Sequence, residues 1–164
     1  MNLLIIRHGP AGDRETWEGD DHLRPLTPEG KKQMRKAAAG LPTLVREVAV
    51  LATSPLTRAM QTAKIVAAEY DCEIVTLEAL EPVRDPEDTV KWLREQQPDL
   101  TVGLVGHEPH LSTLVGYLLT GKRASFLDLK KGGACLVDMT EALEPGRAAL
   151  AWLLTPRVLR QLGE

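Results

Sequence analysis

Leu3-Leu4-Ile5-Ile6-Arg7-His8-Gly9-Pro10 is the stretch whose reading decides the fold of this chain. Four consecutive apolar residues bounded by a turn read as a short strand with both faces covered, the mark of a parallel sheet. The run stops on a cation, an imidazole and a turn. In open α/β sheets ligands gather outside the carboxyl ends of the strands, so Arg7 and His8 are expected at that edge. Gly9, lacking a Cβ, leaves room there for a bulky anion to approach the main chain.

Outward from this stretch, strands alternate with helices. Residues 10–26 carry scattered charges, two glycines and little periodicity, and read as a long exposed loop. Thr27-Pro28-Glu29 is a helix start, with Thr27 as N-cap and Pro28 in the first turn; Met34, Ala37, Ala38 and Leu41 mark its buried face. Val48 to Ala52 is a second strand. Ser54 and Pro55 then suit the cap and opening of a helix with a core stripe of Leu56, Ala59, Met60, Ala63, Val66 and Ala67, which leaves Arg58 off the stripe and toward the strand ends. Ile74-Val75 with Leu77 makes a third strand, and Asp85-Pro86-Glu87-Asp88 opens another helix. Leu100 to Gly106 is a fourth strand, ending on Gly106-His107-Glu108-Pro109, and a helix follows it to Gly121. Residues 134–137 and 149–154 form a late hairpin, with a short helix over 156–162. The expected fold class is α/β, a three-layer sandwich in one domain (residues 1–164) with a mostly parallel central sheet and an antiparallel addition.

Bulk properties narrow the function. At 164 residues, 43% hydrophobic and 26% charged, the chain has the composition of an ordinary globular domain. A formal charge of −3 argues against broad affinity for nucleic acid but allows a local basic pocket. No stretch approaches a membrane span or a signal-peptide core, so no membrane partner and a cytoplasmic location are expected. Cys72 and Cys135 form no close pair and read as small core residues.

Arg7, His8, Arg58 and His107 each fall just after a strand or in the first turn of the next helix. If the strands are parallel, all four converge. Two guanidiniums and two imidazoles make a cage for a dianionic tetrahedral group, because each Arg fork can grip two phosphate oxygens. Helix N-termini at Pro55 and Pro109 would add positive potential. No carboxylate cluster or Gly-rich phosphate loop accompanies the cage, so no metal and no cofactor are expected, and covalent catalysis by histidine is the metal-free route. In that route neutral His8 attacks phosphorus in line, while the arginines and a protonated His107 balance the charge on the equatorial oxygens.

These segments resemble the histidine phosphatase superfamily, with its phosphoglycerate mutase-like fold, and within it the small SixA-type phosphohistidine phosphatases. Arg7-His8-Gly9 looks like the family's signature triplet. Residues 24–30 resemble the segment entering its first helix, residues 54–63 the segment with its second arginine, and Gly106-His107-Glu108-Pro109 its second-histidine motif. Trp152 to Pro156 is also of SixA character. The resemblance implies His8 as phosphoryl acceptor, Arg7, Arg58 and His107 as phosphate-binding residues, and Arg24 as a further contact. Larger relatives protonate an alcohol leaving group with a carboxylate after the third strand. Here that loop is short, with Glu81 the nearest candidate proton donor and Glu78 the next. A short, open site and an easily departing phosphoramidate favour phosphohistidine on a partner protein as substrate. The alternatives are a small-molecule phosphomonoesterase and a non-catalytic phosphoprotein-binding module; oligomeric state is open, with a monomer preferred.

Other residues carry plainer expectations. His22 reads as loop surface and His110 as a first-turn helix residue near the pocket mouth. Glu108 either complements its helix N-terminus or takes part in the chemistry. Lys130-Lys131-Gly132-Gly133 reads as a solvated turn before a strand, with an anion-binding loop as the alternative. Trp17 either contacts a partner at the rim or packs under the loop.

Overall fold

The computed structural model describes residues 1–140 and 142–164. Its first strand, β1 (Asn2–Arg7), buries Leu3, Leu4, Ile5 and Ile6 completely. Because side chains alternate across a strand, Leu3 and Ile5 enter one core and Leu4 and Ile6 the other. Each side chain fully withdrawn from water contributes about 2 kcal/mol, so this one strand stabilises both layers at once.

The remaining elements are α1 (Pro28–Gly40), β2 (Val50–Thr53), α2 (Thr57–Tyr70), β3 (Glu73–Thr76), α3 (Pro86–Arg94), β4 (Thr101–Gly106), α4 (His110–Thr120), β5 (Ala134–Asp138), β6 (Ala149–Leu154) and α5 (Pro156–Leu162). They build one six-stranded sheet in the order β3-β2-β4-β1-β5-β6. β1 to β4 run parallel, whereas β5 lies antiparallel to β1 and β6 antiparallel to β5. One core holds α1, α2 and α5 and the other α3 and α4, giving the three-layer α/β sandwich expected.

Three helix starts follow local chemistry. Thr27 accepts from Gly30 N, Asp85 from Glu87 N and Thr155 from Val158 N, each with Pro in the first turn. The fourth departs from expectation. α2 begins at Thr57, its N-cap is Leu56 with no side-chain bond, and Ser54 is not the cap because its hydroxyl faces His107. Consequently the α2 N-terminus lies two residues beyond Pro55. β2 is likewise displaced, to Val50–Thr53, and Met60 is only half-buried. Cys135 sits in the core, while Cys72 is half-buried at the α2–β3 junction. No helix among the described residues is long and apolar enough to cross a membrane.

Candidate active site

Strand register brings the chemistry together. Arg7 pairs with Gly106 and Thr53 with Val105, so β1, β2 and β4 end level with one another. The next backbone amides extend the ladder: His8 N donates to Gly106 O at 3.0 Å and Ser54 N to Val105 O at 3.0 Å. His8, Ser54 and His107 therefore leave three adjacent strands at the same height. The His8 and His107 rings lie 5.0 Å apart between centroids, at 55°.

A cleft of about 870 Å³ opens over this edge, and Arg7, His8, Arg24, Arg58, Glu81 and His107 all line it. Of the residues named from the sequence as site candidates, only Glu78 falls outside this space. Arg24, Arg58, His8 and His107 are themselves buried. Arg7 Nη1 donates to Leu129 O at 2.9 Å, which fixes its guanidinium against the segment before β5. Among the described residues the Nε atoms of Arg7 and Arg58 and Nδ1 of His107 are buried without a hydrogen-bond partner. The two guanidinium N–H groups are buried donors whose desolvation cost an anion would relieve.

Their surroundings hold both imidazoles neutral. Burial, with the charges of Arg58 and Arg7 as lesser causes, pushes His8 down to about 3. Burial again, then His8 and Arg58, lowers His107 to about 2. The imidazolium expected at His107 is therefore disfavoured by its surroundings, and a dianion beside it would favour it. His8 Nδ1 lies 2.7 Å from Gly9 O. A carbonyl only accepts, so the proton of the neutral ring sits on Nδ1 and the Nε2 lone pair is free. His107 Nε2 lies 2.8 Å from Ser54 Oγ, which also accepts from Leu56 N at 3.2 Å. Gly9 N donates to Thr62 Oγ1 at 3.1 Å, tying the turn after β1 to α2. A free imidazole nitrogen between two arginines is equipped for nucleophilic attack on a phosphoryl group.

Neighbouring carboxylates divide by position. Glu81 lines the cleft but pairs with Arg84 at 3.4 Å, and Glu78 is largely exposed beyond it. Glu108 lines the cleft and also complements the N-terminus of α4, accepting from Ser112 N at 3.1 Å and from Ser112 Oγ. His110 is not at the mouth. It is buried, with Nδ1 on Arg84 O at 3.1 Å and Nε2 on Thr89 Oγ1 at 3.2 Å, and it pins the loop after β3 to α4. His22 is exposed, as expected, yet belongs to the cleft lining. The Trp17 indole donates to Asp20 O at 3.0 Å and so closes its own loop, about a third exposed.

Three further residues contribute to the cleft. Lys131 lines the cleft because β5 runs antiparallel to β1, so the turn before β5 lies beside the end of β1; Gly132 N donates to Arg7 O and His8 O. Gly132 takes φ +76°, a left-handed conformation that suits glycine. Arg14 reaches the cleft from the long loop. Asp21, from the same loop, pairs with Arg58 at 3.2 Å and with Arg24 at 2.9 Å. Among the described residues no group of three or more His, Cys, Asp or Glu could hold a metal ion.

Comparison with known proteins agrees with this geometry. The model of the histidine phosphatase superfamily (branch 1) matches residues 3–84. An uncharacterized protein of Picosynechococcus sp. is 36% identical over 136 residues, 81% of this chain and 82% of its own length. Among solved structures, the protein histidine phosphatase SixA complexed with tungstate superposes with a TM-score of 0.82 at 25% identity, covering 97% of this chain and 99% of that one. A phosphoserine phosphatase of Entamoeba histolytica superposes at 0.73 with 15% identity, covering 95% and 98%.

Proposed function

The chain belongs to the histidine phosphatase superfamily (branch 1) and is a phosphatase, and from that premise we propose that it removes the phosphoryl group from phosphohistidine on a partner protein. The observation that carries this reading is the bond from His8 Nδ1 to Gly9 O, which leaves Nε2 unprotonated in a cleft shared with Arg7 and the buried Arg58. In the first step His8 Nε2 forms a bond to phosphorus as the phosphorus–nitrogen bond of the substrate breaks. The leaving ring keeps the electron pair of that bond and departs as neutral imidazole because its other nitrogen carries a proton. Arg7, Arg58 and His107 offset the charge on the equatorial oxygens. Water then attacks the phosphohistidine on His8, releasing inorganic phosphate and restoring the ring. No metal enters either step.

Two features favour phosphoramidate over ester as the bond cleaved. Glu81, the carboxylate expected to protonate an alkoxide, pairs with Arg84 at 3.4 Å. The SixA structure that this chain superposes on is described as a protein histidine phosphatase. The test is direct. Incubation with a phosphorylated histidine-phosphotransfer domain, in the presence of chelator, should release inorganic phosphate through an acid-labile, alkali-stable phosphoenzyme that His8→Ala abolishes. Faster hydrolysis of alcohol phosphoesters than of phosphohistidine protein would replace this substrate with a small phosphomonoester. Tight phosphoprotein binding without a phosphoenzyme would make the chain a binding module.

A further inference from the structure

The forks that should grip phosphate are already engaged from within the chain. Arg58 Nη1 donates to the Asp21 carbonyl at 2.9 Å and Nη2 to Asp21 Oδ2 at 3.2 Å. Arg24 Nε donates to the other carboxylate oxygen, Oδ1, at 2.9 Å. One anion spanning two guanidiniums is the arrangement that a pair of arginines offers to a phosphoryl group.

The two sides of this contact differ in how firmly they are held. Arg58 and Arg24 are 4% and 7% exposed, anchored by α2 and by a bond from Arg24 Nη1 to Gly12 O. Asp21 has a side chain 36% exposed and opens a three-residue 3-10 turn, Asp21–Leu23, none of whose residues is buried. The guanidiniums are enclosed, and the carboxylate is open to solvent on one side. Burial raises the Asp21 carboxyl, but the Arg24 hydrogen bond and the charges of Arg58, Arg24 and Arg14 outweigh it and hold the group below the usual carboxylate range. Asp21 is therefore an anion throughout the neutral range.

We propose that Asp21 is a built-in stand-in for the phosphoryl group, which must be displaced from Arg58 and Arg24 before they can grip substrate and which thereby selects against free inorganic phosphate. Inorganic phosphate touches only the cage and must supply the whole displacement itself. A substrate with further contacts along the 870 Å³ cleft need not. The product of the reaction is thus kept from occupying the site. The inference rests on the phosphoryl-binding reading of the cleft and not on phosphohistidine being the substrate.

The rival role is a prop: Asp21 holds the arginines toward the ligand, and its loss slackens them. Titration calorimetry with inorganic phosphate at low salt separates the two. Asp21→Asn keeps the shape and removes the charge; it should bind phosphate about tenfold more tightly than the unaltered chain, the scale of one charge-assisted hydrogen bond no longer competed for. Asp21→Glu should stay near the unaltered value. Equal or weaker binding by Asp21→Asn overturns the inference while leaving the phosphatase reading intact. Absence of phosphate binding by every form overturns both. A second measurement needs no variant: saturating phosphate should speed amide hydrogen exchange at Leu23 and Arg24, whose N–H groups bond to Asp20 O and Asp21 O. Unchanged or slowed exchange there also refutes displacement.

Discussion

Replacing Ser54 by Ala tests how His107 is held. Ser54 has no exposed surface, and its Oγ serves two partners, His107 Nε2 at 2.8 Å and Leu56 N at 3.2 Å. Loss of the hydroxyl strands both inside the fold, and each unmatched buried group costs about 1–3 kcal/mol. The longer Leu56 bond, at the start of α2, belongs at the low end and the His107 bond nearer the middle. The expected loss is about 3 kcal/mol. Against a total of about 5–15 kcal/mol that is a large fraction, and it shifts a urea midpoint by roughly 1–2 M. Activity should fall beyond what unfolding explains. A ring free to turn no longer presents Nδ1 in one direction, so kcat/KM should drop by about 10- to 100-fold at a temperature where the variant is fully folded. Urea unfolding followed by circular dichroism, together with kcat/KM on a phosphohistidine protein, measures both. A loss below about 0.5 kcal/mol with kcat/KM within about twofold would show that the hydroxyl does not hold His107.

Three further outcomes follow from the same geometry. His8 and His107 are depressed in the fold to about 3 and about 2 from 6.5, so below pH 6.5 the unfolded chain binds more protons; stability is complete above that pH and is lost as pH falls toward 3. The melting temperature should decline between pH 7 and pH 5, less so with phosphate present, and a flat profile would contradict neutral imidazoles. Glu81→Gln should leave phosphohistidine turnover within about twofold, since phosphoramidate cleavage needs no acid of that kind; a 100-fold fall in single-turnover rate would make Glu81 the proton donor. Gly116→Ala puts a Cβ 1.8 Å from Ala124 O and so displaces the segment whose Leu129 O holds Arg7. It should cost about 1–3 kcal/mol in thermal unfolding and raise KM, and an unchanged KM would separate that segment from the site.

The fold was legible because its signals are local. A four-residue apolar run ending on Arg-His-Gly, and caps such as Thr27 and Asp85 followed by Pro, are complete within a few residues. Arg7, His8, Arg58 and His107 share that legibility, since a strand end is itself a local mark and a parallel sheet makes strand ends meet. Ser54-Pro55 shows where this stops. By local chemistry it is as good a cap as Thr27-Pro28, yet Ser54 Oγ is claimed by a histidine 53 residues away. Lys131 failed differently: Lys-Lys-Gly-Gly is an ordinary turn, and only the antiparallel pairing of β5 with β1 carries it to the cleft.

Asp21 is the most instructive case. Nothing in the chain around it separates it from Asp13 and Asp20 in the same loop, and all three read as solvated. What distinguishes it is distance to Arg58 and Arg24, a property of how the loop folds back over the strand ends. Cations that bind a dianion can sit on rigid strand and helix ends, where the pattern reveals them. An anion that competes with that dianion has to be able to leave, so it belongs on an exposed connection with weak local signals. In this chain the counter-charge to the clustered arginines therefore lies in the loop after β1, among acids that look interchangeable until the arginines are located.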